Sequence, residues 1–152
     1  MKRSLRINTF LLGCITFSAF SAYANSEVES RIHNAISEYT PQQSVESFDY
    51  PYRCRELKST AYESVNPNEV EIVDRFTVSQ ECGYKLQSFH VVRNDSGATF
   101  YVYLVDSSGT IVRSGRYGVS SYPRTGDYFW VVENKGGGDG RGRFKSETRH
   151  FR

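Results

Sequence analysis

Residues 85 to 133 read KLQSFHVVRNDSGATFYVYLVDSSGTIVRSGRYGVSSYPRTGDYFWVVE, and this stretch constrains the fold more than any other. The run from Ala98 to Val105 is almost wholly aromatic and β-branched, which suits a pleated, half-buried surface and not a helix. Asn94-Asp95-Ser96-Gly97 precedes it and Asp106-Ser107-Ser108-Gly109 follows it. Both are turn sequences, because Asn and Asp bond their own backbone and Gly accepts a positive φ. Residues 127–133, carrying Trp130, form a further strand signal, and the whole stretch reads as a β-meander. Residues 69–79 (EVEIVDRFTVS) alternate as another strand, with Val70, Ile72, Phe76 and Val78 on one face and Asp74 the exception among them.

The N-terminus has the layout of a secretory signal peptide over residues 1–24. Lys2, Arg3 and Arg6 form a basic start, an apolar run follows to Phe20, and Ala22-Tyr23-Ala24 supplies the small-x-small cleavage pattern. The apolar run is short and broken by Asn8, Thr9, Thr16 and Ser18, so a transmembrane segment is not expected. Leu11-Leu12-Gly13-Cys14 offers the alternative of a lipoprotein anchored at Cys14, against which apolar residues continue past the cysteine. Cleavage after Ala24 leaves 128 of the 152 residues, enough for a single β-rich domain over 25–152. That domain holds 16 basic and 17 acidic residues, so its balance makes no strong case for nucleic acid as a partner. Localisation is expected to be periplasmic or secreted.

With the leader removed, Cys54 and Cys82 are the remaining cysteines, and in an oxidising compartment they are expected to form one disulfide. A closed loop of that length stabilises by about 3–4 kcal/mol on the chain-entropy account. Residues 26–39 place Val28, Ile32, Ala35, Ile36 and Tyr39 at helical spacing, with Ser26 and Glu29 as a capping box. The helix is expected to lay this stripe on the sheet. Phe48, Tyr50 and Tyr52 alternate as a short edge strand does, although Pro51 weakens the pattern. Residues 113–126 read as a long turn-rich connection, 134–142 as a flexible glycine-dense hairpin loop, and 143–152 as a charged edge strand.

No G-x-S-x-G or H-E-x-x-H occurs. The glycines of residues 136–142 lack the strand-to-helix context and Lys-Ser/Thr pair of a phosphate loop. His33, His90 and His150 have no metal-ligand spacing, so neither a metal nor a cofactor is expected. His90 and His150 together would make the acid/base pair of a small nuclease-like hydrolase or toxin. Aromatic residues carry the remaining signal. Tyr101 and Tyr103 alternate with Phe100, Val102 and Leu104; if the latter face the core, the tyrosines form an outer row. Such a row, with Tyr117, Tyr122 and Trp130, is a candidate platform for sugar rings or a partner protein, or it lies under the N-terminal helix. The basic positions Arg141, Arg143, Lys145, Arg149 and Arg152 read as a solvated edge interrupted by Glu147.

Three segments, FTVSQECGYKLQSF, YVYLVDSSGTIV and GDYFWVVENKGGG, together resemble the bacterial pre-peptidase C-terminal type of β-sandwich. The shared order is a strand, a Leu-x-Asp-x-x-Gly turn, then a Gly-Asp-Tyr-aromatic strand, and it spans roughly the last 80 residues. The sequence departs from that pattern in its N-terminal helix and in having no peptidase segment. The resemblance implies a secretion-associated or substrate-binding accessory role and assigns no functional residue. The expected fold is a mainly β, antiparallel β-sandwich or curled sheet with one N-terminal helix and one disulfide. The expected function is that of an exported, non-enzymatic interaction module whose partner is an envelope or extracellular protein or a glycan. The alternatives are the His90/His150 hydrolase and a periplasmic inhibitor or immunity-type protein that plugs its target with residues 113–126.

Overall fold

A computed structural model describes residues 18–39, 54–138 and 140–151. The lipobox cysteine, the alternation at Phe48, Tyr50 and Tyr52, and Arg152 lie outside the described residues. The chain forms one helix, α1 (Ser18–Glu38), and eight strands: β1 (Glu56–Val65), β2 (Val70–Val78), β3 (Gln87–Asn94), β4 (Phe100–Asp106), β5 (Ile111–Arg116), β6 (Gly118–Ser121), β7 (Gly126–Asn134) and β8 (Gly142–Phe151). They make two four-stranded antiparallel sheets, sheet A in the order β1-β8-β3-β6 and sheet B in the order β2-β7-β4-β5. The first strand pairs with the eighth, the second with the seventh, the third with the sixth and the fourth with the fifth. Pairing of β3 with β8 and of β4 with β7 then completes each sheet. This is the jelly-roll arrangement, a β-sandwich in which one long folded ladder is rolled on itself.

The expected meander is therefore corrected: only β4 and β5 form a hairpin within one sheet, while β3 to β4, β5 to β6 and β6 to β7 each change sheets. Turn residues tell the chain to reverse, and they carry no information on whether the next strand pairs with the last or crosses the sandwich. Residues 113–126, expected as a connection, contain the end of β5 and all of β6. Tyr117 marks the crossing, with φ +60. Its N–H donates to the Phe100 carbonyl of sheet B at 3.1 Å and its carbonyl accepts from Val91 N–H of sheet A at 2.8 Å. Strand β8, expected at an edge, lies centrally between β1 and β3. The glycine-dense loop is not a hairpin but the arch from sheet B to sheet A, docked by Thr99 N–H on the Gly136 carbonyl at 2.9 Å and Lys135 N–H on the Thr99 carbonyl at 2.8 Å. A Cβ on Gly138, where φ is +76, would lie 1.8 Å from the Ser96 carbonyl oxygen, so backbone packs on backbone there.

Between the sheets lies a core built from Phe76, Phe89, Phe100, Leu104, Trp130 and Phe144, each almost wholly buried. A second apolar layer lies on the far side of sheet B. There Val28 and Ile32 of α1 meet Tyr103, Val105, Phe129 and Val131, flanked by Ile36 and Tyr39. Strands β4 and β7 are consequently buried on both faces, which is why FYVYLV and FWVV read as nearly continuous apolar runs. The helix starts at Ser18, upstream of the expected boundary, so Ser26 lies within it and is not its N-cap.

A bulge between Ile72 and Asp74 divides the face of β2 that the sequence reads as one. Val70 and Ile72 pack toward the helix, and Phe76 and Val78 pack between the sheets. Asp74 also points inward, where its Oδ2 lies 2.6 Å from Nε2 of His150 on the opposite sheet. Cys54 and Cys82 form the disulfide, with Cα atoms 5.2 Å apart. It joins the approach to β1 of sheet A to the short 3₁₀ turn Gln80–Cys82 after β2 of sheet B.

Candidate binding face

The outer face of sheet B is roofed by α1, and the roof is pinned by charge as well as by its apolar stripe. Glu133, fully buried, accepts from Arg31 at 2.8 Å, from Lys135 at 2.8 Å and from the Tyr103 hydroxyl at 2.5 Å. Arg31 also donates to the Asn68 carbonyl at 2.7 Å, linking the helix to the β1–β2 turn. Burial, followed by the bond to Glu133, pushes the Tyr103 hydroxyl well above its ordinary pKa. Farther along the helix, the His33 ring lies over Gly109, where a Cβ would meet its Cε1 at 2.3 Å.

The outer face of sheet A carries no such cover among the described residues. Alternation along β8 sends Phe144, Ser146, Thr148 and His150 into the sandwich and Arg143, Lys145, Glu147 and Arg149 out of it. Register then places Tyr62 of β1 and Arg93 of β3 on either side of Lys145, and Thr60 and His90 on either side of Glu147. Lys58 and Ser88 flank Arg149 in the same way. Tyr62 is 70% exposed. The His90 ring lies across Gly118, with Nε2 3.2 Å from the Ser120 hydroxyl.

The cations on this face are not equally neutralised. Lys58 lies 3.2 Å and Arg149 2.6 Å from Oε1 of Glu56, although the Arg149 Nε–H is not aimed at that oxygen. Desolvation works against it, but the bonds from Lys58 and Arg149 hold the Glu56 carboxyl below its ordinary value. Arg93 pairs with Asp95 at 2.6 Å. Among the described residues, Arg143 and Lys145 have no carboxylate partner. A shallow concavity of about 550 Å³ lies beside them, lined by Tyr62, Ser64, Arg93 and Arg143 together with the carboxylates Glu63 and Asp95.

The five aromatic residues singled out in the sequence do not share a surface. Trp130 is fully buried between the sheets, stacked on Phe76 with centroids 5.6 Å apart. Tyr103 lies beneath the helix, and Tyr101 beside it is half-buried with Lys135 Nζ 6.0 Å from its ring centroid. Tyr117 is the corner where the chain changes sheets, its hydroxyl 3.3 Å from the Ala98 carbonyl. Only Tyr122 is open, 63% exposed in the β6–β7 connection next to Pro123, whose carbonyl accepts from Tyr84 N–H at 3.0 Å. The outer tyrosine row thus exists as alternation requires, but the helix covers it.

The paired-histidine reading is also overturned. His90 faces outward with Glu147, whereas His150 faces the core against Phe76, with ring centroids 4.3 Å apart. The two imidazoles lie on opposite sides of sheet A and cannot reach one substrate atom. Residues 113–126, being largely strand, also supply no long loop to plug a target. Sequence reasoning missed Tyr62 and took the β8 cations for an edge; the period-2 alternation of RGRFKSETRHF was the signal that separates them.

Among the described residues, no group of three or more His, Cys, Asp or Glu stands close enough to hold a metal ion. No described helix is long and apolar enough to cross a membrane.

No protein-family model matches this chain and no curated protein matches it. Among solved structures, it is similar to PirA at 14% identity and a TM-score of 0.44, over 68% of this chain and 100% of that one. A structure of Bacillus endospore appendages, described as a novel family of disulfide-linked pili, matches at 13% identity and a TM-score of 0.39, over 71% and 98%. The SPBc2 prophage-derived protein YomS matches at 12% identity and a TM-score of 0.33, over 66% and 100%. None of the three assigns a function to this chain.

Proposed function

We propose that this chain is an exported, non-enzymatic binding module that engages a glycan or a protein of the bacterial envelope or its surroundings through the outer face of sheet A. One observation carries the reading: the fold spends its helix on one outer face, and among the described residues nothing covers the other, on which a row of cations and a 70% exposed tyrosine stand. The signal-like N-terminus and the Cys54–Cys82 disulfide support export. The resemblance to pre-peptidase C-terminal accessory domains points the same way. Sheet A offers side chains fixed by strand register, so its recognition groups are pre-positioned before a partner arrives.

The test is retention of envelope extract and of an array of neutral and charged glycans on the exported, oxidised protein. Tyr62→Ala combined with Arg149→Ala is expected to weaken a saturable interaction by roughly tenfold or more, since exposed tyrosine and arginine dominate binding surfaces. Arg113→Ala, on the edge strand β5, is expected to leave it unchanged. Retention that ignores the paired substitution overturns the sheet A assignment.

A further inference from the structure

We infer that the ligand of this face is an acidic glycan, one whose carboxylate or sulfate groups are separated by uncharged, hydroxyl-bearing rings, and that it seats where Tyr62, Arg143 and Lys145 meet. The inference rests on the reading of sheet A as the binding face and names the ligand class. Its first support is the uneven neutralisation of the cations. Glu56 answers Lys58 and Arg149, and Asp95 answers Arg93, whereas Arg143 and Lys145 stand without a counter-charge among the described residues. Arg141, held by its bond to the Ser64 carbonyl at 3.2 Å, brings a further cation to the same end. An anion arriving at Arg143 and Lys145 meets positive charge that no carboxylate among the described residues is paired with, and Glu63 and Asp95, which line the same concavity, set the side from which it approaches.

The concavity between Tyr62 and Arg143, at about 550 Å³, has room for one or two sugar rings. Tyr62 offers an apolar ring face with a polar rim, and Ser64 and Thr60 add hydroxyls on the same strand face. A nucleic-acid strand calls for successive aromatic stacking platforms, and among the described residues Tyr62 is the one large aromatic side chain exposed on this face. Glu147 decides between a uniformly charged polymer and a spaced one. It follows Lys145 and precedes Arg149 on the outward positions of β8, between Thr60 and His90. A chain with an anion at every unit is repelled at Glu147. A glycan that places a neutral ring there finds a carboxylate that accepts its hydroxyls.

The experiment measures binding of the exported, disulfide-intact protein to heparin, polygalacturonate, neutral dextran and single-stranded oligo-dT as salt is raised. Binding to heparin or polygalacturonate but not dextran is expected. Arg143→Gln and Lys145→Gln should each weaken it by about tenfold, the size of one lost charge-assisted hydrogen bond, and flatten its salt dependence. Lys85→Gln, away from the face, should not. Oligo-dT binding as tight as glycan binding, and equally sensitive to these substitutions, overturns the glycan assignment in favour of nucleic acid. Face-dependent capture of an envelope protein with no affinity for either acidic glycan overturns the ligand class while leaving the binding face standing. Glycan binding indifferent to Arg143 and Lys145 overturns the seat.

Discussion

The two outer faces of this sandwich started from the same problem and solved it differently. Sheet B carries large apolar side chains outward, Tyr103, Val105, Phe129 and Val131 among them, and the helix buries them. Sheet A carries Arg143, Lys145, Glu147 and Arg149 outward on its central strand, charged side chains that need no apolar cover. The contrast is sharpest between two carboxylates. Glu133 and Glu147 sit on the central strands β7 and β8 respectively. Glu133 is fully buried with Arg31, Lys135 and Tyr103 on it, whereas Glu147 is exposed with no partner among the described residues. A carboxylate under a roof is structural; one on an open sheet is free to meet something else.

Glu133→Ala should therefore break the comparison most severely. It leaves the buried Tyr103 hydroxyl and two cations without their acceptor, a loss of about 3–5 kcal/mol. Glu147→Ala should stay within about 0.5 kcal/mol of the parent. Urea unfolding of both proteins, with amide exchange read over α1, measures the difference. Equal midpoints would mean that the helix is held by its apolar stripe alone.

The disulfide comes next, because it is the covalent tie between the strand edges of the two sheets. Replacing Cys54 and Cys82 together by alanine should cost about 3–4 kcal/mol, on the chain-entropy account for a loop of this length. The change should appear in the unfolding midpoint of both sheets at once. Loss of protection confined to one sheet would show that the bond staples a local loop and not the sandwich.

How much of this was legible in the sequence follows from how each strand is buried. Strands β4 and β7, sandwiched on both sides, announce themselves by unbroken apolar runs, and α1 by Val28, Ile32 and Ile36 at helical spacing. Strand β1 escaped notice because its inward positions are Leu57, Ser59, Ala61, Glu63 and Val65, too few of them large and apolar to show a period. Ser59 fills its place by hydrogen bonding the Thr148 hydroxyl across the strand pair, which hydropathy does not register. The same polarity on the inner side of β8, at Ser146, Thr148 and His150, made a central strand look like an edge. Which strands change sheets depends on long-range pairing, which turn sequences do not encode. The binding face was half legible: its cations were visible, but their common side required the strand register, and the tyrosine row drew attention to the face that the helix covers.

The smallest expected effect concerns a third carboxylate, Glu63, at the edge where the two sheets meet. It lies on the inward side of β1 opposite Phe144. Burial first, and then the charges of Glu71 and Asp74, raise its pKa above the ordinary carboxylate value. A group whose folded pKa is raised favours folding while protonated, so its contribution is present below the unfolded pKa of 4.5 and is lost as pH climbs through the folded value. Glu63→Gln is neutral throughout. The variant should match the parent in acid and become more stable above that range, by on the order of 0.5 kcal/mol at neutral pH, as relief of a partly buried charge yields. Thermal unfolding of both proteins from pH 4 to pH 8 measures the gap. A variant that instead becomes less stable than the parent as pH rises would mean that Glu63 is stabilised as the anion by Arg93 and Arg143, which line the same concavity. In that case the cations there already have a counter-ion in the chain, and the bare face would be less open to an acidic ligand than its ion pairs indicate.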